Sequence, residues 1–92
     1  MTTSHYVDPS HEAYLRMQVW SKATMIDGHD PWEFRFDVNG RTVCWSDYGD
    51  YGSRFGWDME FYPIPEWLGG PRAHFNLRVI SLAAKARSNI GS

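Results

Sequence analysis

Asp58 and Glu60, in the run WDMEFY, are the two carboxylates whose spacing could most readily do chemistry. Two residues apart on a strand, they share one face at about 7 Å by strand rise. Paired carboxylates at such a separation can act as the acid and the nucleophile or base of glycoside cleavage. A structural role competes with this reading, since two acids on a polar sheet face are ordinarily answered by cations across the sheet. Arg35 and Arg78 are the candidates for that. His29-Asp30, in DGHDP, has the residue types of an acid–base pair, but the segment reads most simply as a turn between strands.

Cys44 has no basic neighbour in sequence and no evident histidine partner, so it is expected to be an inert thiol. His5, His11, His29, His74 and Cys44 are the nitrogen and sulfur ligands of the chain. None falls into a C-x-x-C, H-x-x-x-H or H-E-x-x-H spacing, so no zinc site is expected. Asp47-x-x-Asp50 with Gly52 has a faint likeness to a calcium loop, yet lacks the alternate-residue ligands and the terminal Glu. No glycine-rich phosphate loop leads into a helix. The expectation is a protein that is not an enzyme, with no cofactor and no metal.

Another chemistry is suggested by SDYGDYGSRFGW, residues 46–57, with three Gly, four aromatic rings, two Asp and one Arg. A connection this long in a small domain is usually functional or disordered. Disordered linkers are poor in aromatics, and this one is rich in them. Tyr, Gly, Ser and Arg together are what binding loops use: rigid amphipathic rings on a pliable frame. The candidate partner-binding residues are Asp47, Tyr48, Asp50, Tyr51, Arg54 and Phe55. To these Trp67 is added, from PIPEWLGGPR (63–72), a second loop stiffened by three Pro. The competing expectation is that Tyr48 and Phe55 fold back to plug an open end of the fold.

Strands are expected to carry these loops. WEFRFDV alternates Trp32, Phe34, Phe36 and Val38 with Glu33, Arg35 and Asp37, and Asn39-Gly40 then suits a type I′ hairpin turn. Val43 and Trp45 return along the partner strand. Trp57, Met59 and Phe61 alternate with Asp58 and Glu60, and Phe75, Leu77 and Val79 with His74, Asn76 and Arg78. AYLRMQVW (13–20) forms no single stripe at helical spacing, and as a strand it places Ala13, Leu15, Met17 and Val19 on one face. Helix is expected only as a capped turn after Asp8-Pro9 (9–13) and over 81–88. The fold class expected is mainly β: one curled five-stranded antiparallel sheet, a small open barrel or sandwich, with a short C-terminal helix. A homodimer pairing two apolar faces is the alternative way to cover such a sheet.

The chain of 92 residues is of single-domain size, with residues 1–8 and 89–92 expected to be flexible ends. Its net charge of −2 is unevenly spread. Residues 27–66 hold nine acids against Arg35, Arg41 and Arg54, whereas the last 21 residues hold four bases and no acid. The acidic, aromatic loop would repel phosphate, so direct nucleic-acid binding is less favoured than a protein partner with a basic surface. A single cysteine, no signal-like opening and no apolar run of about 20 residues give the expectation of a cytoplasmic protein without a membrane partner. In size and charge the chain is similar to phage anti-defence proteins and bacterial immunity proteins, a likeness of profile and not of motif. The functional expectation is a small acidic inhibitor that docks through loop 47–56 on a nucleic-acid-handling complex. The alternative is a small-barrel module binding single-stranded nucleic acid or glycan.

Overall fold

A computed structural model describes residues 9–91. The expected flexible end at 1–8, the Asp8 cap, His5 and Ser92 lie outside the described residues. The elements run α1 (Pro9–Trp20), β1 (Thr24–Met25), β2 (Phe34–Phe36), β3 (Thr42–Cys44), β4 (Trp57–Phe61), β5 (Leu77–Ser81) and α2 (Leu82–Gly91). Single 3₁₀ turns lie at Trp45–Asp47, Glu66–Leu68 and His74–Asn76. The five strands are antiparallel but form two sheets, β1-β2-β3 and β4-β5, rather than one curled sheet. Among the described residues no helix is long and apolar enough to cross a membrane.

The segment expected as a strand at 13–20 is the last two-thirds of α1. Its residues are mostly strong helix formers: Ala, Leu, Arg, Met and Gln. Pro9, tolerated in a first helical turn, opens it. The buried residues Leu15, Val19 and Trp20 span a broad arc, with half-buried Glu12 and Arg16 lying within it. Charged side chains whose stems cover apolar surface interrupt the stripe a helix is recognised by. Exposed Tyr14 and Met17 occupy the solvent side.

At 32–38 the strand is shorter than expected and the face is reversed. Arg35 and Asp37 are buried, Phe34 and Phe36 are half-buried, and Trp32 and Val38 are exposed. The polar side chains point inward because each finds fixed backbone partners there. Arg35 donates through Nε to the Pro31 carbonyl (2.8 Å) and through Nη1 to those of Ser21 (3.2 Å) and Ala23 (2.9 Å). A cation at carbonyls just past a helix C-terminus is favourably placed. Burial lowers its pKa nonetheless.

Asp37 accepts the Asn39 and Arg41 N–H groups through Oδ1 (2.9 and 2.8 Å) and the Ser81 N–H through Oδ2 (2.8 Å). The first two bonds also set the hairpin turn. Gly40 has φ 81°, but among the described residues no non-glycine residue has positive φ. The connection is therefore a type I turn closed by a left-handed glycine, not the type I′ turn expected.

The core gathers Leu15, Val19 and Trp20 of α1 with Val43, Trp57, Met59, Leu77 and Val79. Trp20 and Trp57 rings lie 4.9 Å apart, and Trp45 packs 5.5 Å from Trp20 and 5.9 Å from Trp57. The buried indoles are satisfied: Trp20 Nε1 donates to the Pro31 carbonyl (2.8 Å) and Trp57 Nε1 to that of Trp45 (3.3 Å). β5 is buried at Leu77 and Val79 as alternation predicts, but the segment begins later than expected. Phe75 belongs to a 3₁₀ turn and is exposed.

Candidate binding surfaces

Loop 47–56 is a knit structure. Asp50 Oδ1 accepts the Gly52 N–H (2.9 Å), the Ser53 hydroxyl donates to Asp47 Oδ2, and Ser53 Oγ accepts the Phe55 N–H (3.0 Å). Both ends are stitched to strands, by Gly49 N–H to the Trp57 carbonyl (2.8 Å) and Cys44 N–H to the Phe55 carbonyl (3.0 Å). Gly56 is required, because a Cβ there would lie 2.3 Å from the Asp50 carbonyl oxygen. Its two acids are therefore occupied in holding the loop.

The candidate residues separate into three places. Tyr48 packs edge-on against Trp57 at 4.8 Å, beneath the Arg16 guanidinium at 3.9 Å, so this ring does fold back on the core. Burial, then the facing Asp58 carboxylate, raise its pKa. Phe55 turns the other way and meets Phe34 edge-on at 5.6 Å, with Arg54 beside it. Tyr51 is 73% exposed at the loop tip. Trp67 stands on the other loop and is 82% exposed.

The loop bearing Trp67 is clasped by Asn76, a residue the sequence did not single out. Asn76 is 2% exposed. Its Oδ1 accepts the Ile64 N–H (2.9 Å), and Nδ2 donates to the Ile64 (2.8 Å) and Pro71 (3.1 Å) carbonyls. Gly70 is packed so closely that a Cβ would lie 2.0 Å from the Ile64 carbonyl. Upon this fixed backbone Tyr62, Ile64, Trp67 and Leu68 are all exposed. The Arg78 guanidinium sits 3.8 Å over the Tyr62 ring.

Asp58 and Glu60 each hold a cation. Glu60 bonds Arg78, its direct cross-strand partner, at 2.7 Å, and Asp58 bonds Lys85 of α2 at 2.6 Å. Burial alone would raise the Asp58 pKa. Hydrogen bonds from Lys85 and the Met59 N–H, with the Lys85 charge, outweigh it and hold the carboxyl below its ordinary value. Arg35, the other cation considered for this face, is turned to the carbonyls past α1. His29 packs edge-on against Phe34 at 5.9 Å. Cys44 Sγ lies 3.4 Å from Ser46 Oγ. Among the described residues no three His, Cys, Asp or Glu side chains converge as a metal site would need.

Compared with protein-family models, curated proteins and solved structures, the chain shows no significant match to any of them.

Proposed function

We propose that this chain is a non-enzymatic protein-binding module of the small-inhibitor kind, docking through Trp67 and its neighbours on the 62–72 loop onto a partner with a basic surface. One observation carries the reading: a Trp that is 82% exposed on a backbone fixed by the buried Asn76 clasp. A large ring exposed in the free protein on a preorganised loop has the character of an interface anchor, since little ordering entropy opposes binding. Ile64 and Leu68 of the same loop are exposed as well, and apolar side chains exposed together mark contact sites.

The charge layout supports a basic partner. Of the nine acids in 27–66, only Asp58 and Glu60 have a cationic partner among the described residues. Asp37, Asp47 and Asp50 are engaged within the fold, and exposed Asp27, Asp30, Glu33 and Glu66 are left to steer a basic surface toward the domain. Loop 47–56 contributes Tyr51 and Arg54 to the exposed surface, whereas Tyr48, Asp47 and Asp50 serve the fold. Engagement of both candidate carboxylates in ion pairs also favours binding over glycoside chemistry.

The test is a nuclease-treated pull-down from lysate of the source cells with wild type, Trp67→Ala and Tyr51→Ala as baits, each checked for an unchanged unfolding midpoint. The expected result is a stoichiometric protein band lost with Trp67→Ala. Capture equal from wild type and Trp67→Ala would overturn the reading.

A further inference from the structure

The reversed face of β2 leaves an unusual surface on the side of the first sheet away from the core. Phe34 and Phe36 point outward there because Arg35 and Asp37 take the interior positions. With Ile26, His29, Thr42 and Phe55 they line an open cup of about 320 Å³. That volume lies in the range of small-molecule sites, which are mostly apolar with a few polar groups that fix orientation. A second hollow of about 210 Å³ abuts it and shares Thr42 and Phe55 as a common wall. Arg41 and Arg54 line this second hollow.

Residues 27–66 contain three cations, and Arg35 is buried against backbone carbonyls. The other two, Arg41 and Arg54, come from different loops and converge on one hollow beside the aromatic cup. Neither is in an ion pair among the described residues. Acids are abundant in this segment, yet both arginines line the hollow next to the apolar cup without one, an arrangement that suits an anion they share.

We propose that the paired hollows form a binding site for a small amphipathic carboxylate. Its aromatic or aliphatic body lies among Phe34, Phe36 and Phe55, and its carboxylate faces Arg41 and Arg54. Guanidinium recognises carboxylate through parallel N–H···O bonds, which gives the site both strength and orientation. The Thr42 hydroxyl, on the shared wall, can bond the same head group.

Naphthoate and its neutral analogue naphthylmethanol separate the two halves of the site. Titration of the whole chain, followed by calorimetry and amide chemical shifts, should show saturable one-site naphthoate binding that moves Thr42 and Phe55. The Arg41→Gln, Arg54→Gln double variant should weaken naphthoate about tenfold or more, as expected for two lost charge-assisted contacts. It should leave naphthylmethanol nearly unchanged. Phe55→Leu should weaken both probes, and Trp67→Ala, on the other loop, neither. No saturable naphthoate binding, shifts that map elsewhere, or naphthoate affinity indifferent to the double variant would each overturn the proposal.

Discussion

Asp37 shows how much structure one side chain can hold. Its carboxylate is 4% exposed and accepts three backbone N–H groups, two from its own turn and one from Ser81 at the end of β5. Asp37→Ala leaves the buried Ser81 N–H without this acceptor and frees the Asn39 and Arg41 N–H groups of the exposed turn. An unsatisfied buried donor costs about 1–3 kcal/mol, so a loss of that order is expected, most of it from Ser81. That is a large share of a small domain's stability. Urea unfolding should show the midpoint falling accordingly. A loss below about 1 kcal/mol would mean that water satisfies these donors instead. The sequence hinted at the role, since Asp-x-Asn-Gly is a turn in which Asp can bond the backbone ahead of it. It did not reveal the third bond, because Ser81 lies 44 residues away. The same long-range bond explains why alternation alone chose the wrong face for Phe34 and Phe36. Period-two patterning says which residues share a face, but backbone partners elsewhere decided which face turned inward.

Among the elements, β4 was readable because its pattern and its surroundings agree: Trp57 and Met59 are buried, and Asp58 and Glu60 point to cations. α1 was not, because the arc it buries includes Glu12 and Arg16. Glu12 pairs with Arg72 at 2.6 Å, and Arg16 covers Tyr48, contacts made by chain distant in sequence. The Trp67 loop was recognised by its three Pro, but what stiffens it most is the Asn76 clasp. Asn76→Ala should therefore release this loop ahead of the rest. Hydrogen exchange should show the Ile64 amide losing protection in the variant, while the Met59 amide in β4 keeps the higher protection of the core. An Ile64 amide as protected as in wild type would show that prolines alone hold the loop. The clasp also bears on function, since a loosened loop would have to be ordered again on docking and would bind more weakly.

Across the whole molecule, the two sheets are joined through a few specific links and the packed indoles, not through continuous strand pairing. Val38 N–H reaches the Val79 carbonyl at 3.4 Å, and Ser81 N–H reaches Asp37. Four of the five strands, β2 to β5, could be read from alternation. β1 is two residues long and shows no such pattern, and the fifth strand expected, at 13–20, is helix. The division of the strands into two sheets could not be read, because it depends on these non-local bonds. Lys85 of α2 adds an ionic tie to Asp58 of β4, and its consequence is a defined pH dependence. Burial would lower the Lys85 pKa, but the Asp58 hydrogen bond and charge outweigh it and raise it. The Asp58 pKa is lowered by the same partner acting against burial.

A depressed carboxyl pKa contributes stability that is present above the unfolded value, about pH 4, and is lost as pH falls through the folded value. A raised amine pKa contributes stability that is present below about pH 10 and is lost as pH rises through the folded value. Both side chains remain partly exposed, at 27% and 35%, so the tie is screened and its contribution is about 1 kcal/mol or less. Lys85→Met removes it. The stability difference between wild type and Lys85→Met should be full between about pH 5 and pH 9 and shrink as pH falls below about 4 and through the depressed folded value of Asp58. It should also shrink with added salt. Urea unfolding of the two proteins across that range measures it. A difference that stays constant from neutral pH into acid would assign the effect of Lys85 to the packing of its stem, with no ionic tie between β4 and α2.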